Sequence, residues 1–138
     1  MKRSACGINA GERKETRSSS GLIVSTGLGS TAWFKSIVTG SLANAGALSS
    51  QTDTAPYSPL PWDSTELQFA VREPFPSRTS QTSLVYGRLT KSEQLPIRSL
   101  MPENGVIFSD GIEADRLGFN SGTEVQITLA RREGRLIV

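Results

Sequence analysis

Two different hydrophobic periods run along the chain, and they divide it. In "GLIVS" Leu22, Ile23 and Val24 stand in a row, the pattern of a strand buried on both faces. Phe34, Ile37, Val38 and Leu42 then recur at helical spacing, which predicts a helix from Ser30, as its N-cap, to about Ala45, weakened at Gly40. Residues 46–63, "GALSSQTDTAPYSPLPWD", carry no period and read as a long connection. Beyond it the period is two. "ELQFAVRE" sets Leu67, Phe69 and Val71 on one face and Gln68, Ala70 and Arg72 on the other, and "TEVQITLA" repeats the device with Val125, Ile127 and Leu129. "TSLVYGRLT", "LPIRSL", "GVIFSDGIEADRL" and the terminal "RLIV" add further strands, with a tight hairpin turn at Asp110-Gly111.

The expected fold is therefore mainly β, a sandwich of two packed sheets with one helix. It should hold about seven or eight strands, mostly antiparallel, with Pro74, Pro76, Pro96 and Pro102 marking turns. Residues 1–19, polar and without an apolar alternation, are expected to be a flexible arm, and 20–138 a single β-rich domain. At 138 residues and 36% hydrophobic content the chain is long enough to bury a core without staples.

Charge and chemistry narrow the function. The net charge is only +2 and the basic residues are interspersed with acids, which argues against a nucleic-acid partner. No apolar run approaches the roughly 18 residues that span a bilayer, and no apolar segment follows the basic start, so neither a membrane partner nor a cleaved signal peptide is expected. One cysteine, Cys6, excludes an internal disulfide, and a cytoplasmic location is expected. With no histidine the commonest general base is missing, and the usual zinc ligand sets cannot be assembled.

The sharpest motif is "STGLGSTAW", Ser25 to Trp33, a glycine-spaced turn between strand and helix. Such a turn lets backbone approach a ligand and aims free amides at it, but it equally well reverses a chain. It is neither the P-loop nor the dinucleotide fingerprint, because the closing Lys and the third glycine are absent. Ser25, Thr26, Ser30 and Thr31 suit helix capping or ribose hydrogen bonds alike. Arg72, beside Glu73, reads as a solvated strand position with a phosphate contact as the alternative, and Tyr57 and Trp62 as loop anchors or a lid. Arg131 to Arg135 reads as a solvated turn.

"GLIVSTGLGSTAW" resembles the signature that opens the C-terminal domain of the NAD kinases, approximately Asp-Gly-Leu-Ile-Val-Ser-Thr-Pro-Thr-Gly-Ser-Thr-Ala-Tyr. "FAVREPFPS" and "GVIFSDGIEADRLGFNSGTEVQITLA" resemble two later segments of that domain in the same order, so the resemblance runs from Ser20 to Val138. Gly27 and Leu28 replace the family's Pro and Thr, Trp33 its Tyr, and Ser20 an Asp.

The resemblance implies a domain of the enzymes that phosphorylate NAD to NADP with ATP and magnesium. Thr26, Gly29, Ser30, Thr31, Ala32, Trp33 and Ser36 would form its NAD-binding segment. The family's Gly-Gly-Asp-Gly motif, with its catalytic Asp, and its Asn-Glu pair are absent, so no catalytic or metal-binding residue is assigned. The chain is expected to bind NAD(H) or NADP, to form homo-oligomers and to be inactive alone, the catalytic half being a missing or separate N-terminal α/β domain. The alternatives are a non-catalytic binding or oligomerisation module, or a C-terminal domain of the diacylglycerol or sphingosine kinase type.

Overall fold

A computed structural model describes residues 4–49, 55–109 and 112–132. Within them the protein is mainly β, with nine strands and one α-helix. Strands β1 (Ser4–Ala10), β2 (Arg13–Ser19), β6 (Leu95–Ser99) and β9 (Glu124–Ile127) form a sheet in the order β2-β1-β6-β9. Strands β3 (Gly21–Ser25), β4 (Leu67–Arg72) and β5 (Tyr86–Leu89) form a second in the order β3-β4-β5, and β7 (Val106–Ser109) pairs with β8 (Ile112–Gly118) as a separate ribbon. Every pairing is antiparallel. Helix α1 spans Trp33–Leu48, starting later and ending later than the spacing predicts.

The two larger sheets bury one continuous core. Cys6, Ile8, Leu95 and Ile97 from the first meet Leu67, Phe69, Val71 and Leu89 from the second, with Leu84 between them. The second sheet inverts the burial that the hydrophobic pattern predicts. β4, which alternates like a half-buried strand, is the central strand and is buried from Leu67 to Val71. Core lies on its Leu67, Phe69 and Val71 face, and α1 with its approach covers the Gln68 and Ala70 face. β3, with its unbroken aliphatic run, is an edge strand and only half-buried from Gly21 to Val24.

Within residues 1–19, expected to be a flexible arm, Ser4–Ala10 and Arg13–Ser19 form a β-hairpin. Its two-residue connection carries Gly11 at φ +60, a conformation other residues resist. The polar composition concealed the strand because the inward row of β2 is Glu15, Arg17 and Ser19, all buried. Residues 75–84 lie over that strand: the Phe75 amide donates to the Ser18 carbonyl at 2.8 Å and the Gln81 amide to Thr16 at 2.9 Å. The Asp110-Gly111 turn, the "RLIV" strand and part of the Arg131 to Arg135 cluster fall outside the described residues.

Glu15 joins the hairpin to this covering segment. Its carboxylate accepts from the Ser83 hydroxyl, the Leu84 amide at 3.1 Å and Nη2 of the buried Arg17. Burial pushes the Glu15 pKa up, but the hydrogen bonds from Ser83 and Leu84 and the charges of Arg17 and Arg13 outweigh it and hold the group below its ordinary value. A carboxylate lowered in the folded state stabilises above its unfolded pKa, and that stability is lost as pH falls through the folded value. Glu15→Gln should therefore cost about 3 kcal/mol at pH 7, because it leaves a buried guanidinium without its counter-charge. It should also reduce the loss of stability below about pH 4, and urea unfolding of both chains across pH 3 to 7 checks both effects.

Candidate functional site

The glycine-spaced turn is built by contacts within the backbone. A Cβ on Gly27 would stand 1.9 Å from the Pro61 carbonyl oxygen, so this residue lets two chain segments touch. The Ser30 hydroxyl is fully buried and donates to the Gly27 carbonyl at 2.6 Å and to the Leu60 carbonyl at 3.4 Å. It therefore locks the turn to the segment before β4 and does not cap the helix. The N-cap position is Ala32, with no side-chain cap, and residues 28–31 form a single 3-10 turn ahead of α1. The other hydroxyls also bond locally. Thr26 Oγ1 accepts the Gly29 amide at 3.3 Å, Thr31 donates to Leu28 O at 3.2 Å, and Ser36 donates to Trp33 O at 2.7 Å.

Thr31, Ala32, Trp33 and Ser36 are all exposed and lie together where α1 begins, with Thr26 and Gly29 exposed on the turn before it. Ser30 alone of the predicted binding residues is turned inward. The first turn of α1 holds no acidic residue. Trp33 is 46% exposed, and the guanidinium of Arg72 from the end of β4 lies 4.9 Å from the centre of its ring. Next to it, Glu73 has φ +44, in the left-handed region, directly before Pro74, and its carboxylate accepts the Ser20 hydroxyl. A bulky residue held there is strained and persists because its surroundings fix it.

Beneath this surface lies a polar cluster that the strand pattern did not single out. Gln68, fully buried, accepts from Tyr86 at 3.1 Å and from Tyr57 at 3.4 Å, and Tyr57 also reaches the Ser30 carbonyl at 3.2 Å. Phe34, the buried residue of α1, sits between these rings at 6.1 and 6.4 Å. Tyr57 is thus a loop anchor, while Trp62 is 67% exposed. The Gln68 Nε2 donor is buried without a partner among the described residues. The signal for this cluster was a glutamine inside a run of apolar strand residues.

A groove of about 450 Å³ runs along α1 between Lys35, Thr39, Leu42, Ala43 and Gly46 and the loop Ala55, Pro56 and Tyr57. None of Thr31, Ala32, Trp33 or Ser36 lines it. Among the described residues no three Cys, Asp or Glu side chains come together as a metal-binding set, and no helix is long and apolar enough to cross a membrane. A scan against protein-family models finds no match, and a search of curated proteins finds none.

Gly27→Ala tests the turn directly. The added methyl group meets backbone that cannot swing aside, so a loss of about 2 to 3 kcal/mol is expected, within the range for a steric conflict in a packed site. Thermal or urea unfolding measures it.

Proposed function

We propose that the chain is the dinucleotide-binding domain of an NAD kinase-like protein and holds NAD(H) or NADP on the surface formed by Thr31, Ala32, Trp33 and Ser36. One observation carries this reading. Thr31, Ala32, Trp33 and Ser36 lie together and exposed where a helix begins, while Ser25, Gly27 and Ser30 of the same segment are buried. The segment thereby separates into a supporting layer and a presenting layer. An exposed indole offers a stacking face to a nicotinamide or adenine ring, and the uncapped helix start offers amides to polar groups.

Phosphoryl transfer needs phosphate cradling, a metal and an oriented nucleophile, and the residues assigned here supply substrate positioning. ATP and magnesium then belong to the complete enzyme, with a separate α/β domain. We place the protein in the cytoplasm, where its single free, buried Cys6 remains reduced. Self-association belongs to the same reading. The β7-β8 ribbon exposes Val106 and Phe108 on one face and Ile112 and Leu117 on the other, apolar side chains of the kind that mark interfaces.

Calorimetric titration of the purified chain with NAD and NADP tests the ligand. Binding is expected, with a rise in melting temperature that follows occupancy, and Trp33→Ala should weaken it by about 1 kcal/mol or more if the ring stacks. Absence of binding by the folded chain would favour the assembly-module reading. Incubated with ATP, magnesium and NAD, the chain alone should form no NADP, as followed by an NADP-specific coupled assay. Turnover would overturn the division of labour proposed here.

A further inference from the structure

We infer that Arg72 is a specificity-determining residue of this site, binding the phosphate of a nucleotide whose ring stacks on Trp33. The inference rests on the dinucleotide reading and adds which part of the ligand is recognised, and by what. Arg72 leaves β4 on the face that α1 covers and sets its guanidinium over the indole, 4.9 Å from the ring centre. Stacking uses the face of a guanidinium and leaves its N–H edge free to bond in plane. That edge forms no ion pair among the described residues. The adjacent carboxylate is the obvious partner, yet Glu73 is turned by its left-handed backbone toward the Ser20 hydroxyl.

The result is a half-buried cation, ordered by an aromatic ring, with no counter-charge from the described residues. A guanidinium taken partly out of water favours an anion, and its planar fork fits two oxygens of a phosphate. Trp33 itself is 46% exposed, which leaves indole surface accessible to a base. One residue pair thus offers both halves of a nucleotide their partner, the aromatic ring for the base and the guanidinium for the phosphate. A nucleoside without phosphate would use only the first.

The test uses the full chain carrying Trp62→Phe, so that Trp33 is the sole fluorescent reporter. It is titrated with NADP, NAD and adenosine at several potassium chloride concentrations. Arg72→Gln should weaken NADP and NAD at least about tenfold, the scale of a charge-assisted hydrogen bond, and flatten the salt dependence of their binding, with adenosine affected less than twofold. Arg72→Lys, which keeps the charge and loses the fork, should keep the salt dependence and lose part of the affinity. Unchanged affinity of Arg72→Gln for NADP overturns the inference and leaves the dinucleotide reading standing. An affinity loss with an unaltered salt dependence also overturns it, because Arg72 would then only prop the indole. A folded parent chain that binds none of the three ligands overturns both.

Discussion

The close approach of Gly27 to Pro61 is the constraint on which the helical side of the molecule depends. A backbone carbonyl occupies the space that any side chain at position 27 would need. Ser30 completes the clasp through the Gly27 and Leu60 carbonyls. With the turn tied to the segment that enters β4, α1 must start above that strand. Phe34 then falls between Tyr57 and Tyr86, and Trp33 falls within reach of Arg72. The glycine spacing is thus first a packing device, and any ligand surface is a consequence of where that packing leaves the next residues.

Polar groups are used in the interior on both sides of the β4 sheet, in different ways. On the helix side, Gln68 gathers two tyrosine hydroxyls and through Tyr57 connects the sheet to the turn. On the far sheet, Glu15 and Arg17 fix the covering segment to β2. Buried ionic and amide groups add little net stability when satisfied, and they penalise every arrangement in which they are not. Their value here lies in selecting one placement of two connecting segments that carry little apolar surface of their own.

The period-two segments were legible because side-chain alternation reports a strand whatever lies on its faces. Burial was not legible from the same pattern. Three aliphatic residues in a row at Leu22 predict a strand covered on both sides, but β3 is an edge, and which strand takes the centre depends on partners far away in sequence. The opening hairpin was missed for a related reason. Its inward row on β2 is charged and hydroxylic, and only tertiary hydrogen bonds make such a row buriable. The motif named a group of residues around the turn, but could not separate inward-turned Ser30 from outward Thr31. For Arg72 the sequence left a solvated position and a phosphate contact both open, because its approach to the Trp33 indole is a tertiary contact that no local pattern reports.

The pairing of β1 has a consequence for the order in which the molecule can assemble. Ile8 stands opposite Ile97, so β1 has one neighbour at once in β2, the next strand along the chain, and waits for the other until β6 exists. Until then the hairpin has an open edge and a charged inner row with nothing to cover it. Contacts so distant in sequence close slowly, since the loop entropy is lost before the contact is gained. β3, β4 and β5 pair in sequence order, and their sheet with its helix can form before the hairpin docks. The surface around Trp33 would then be shaped early, while the core behind it is sealed last, giving the two faces of one strand different histories.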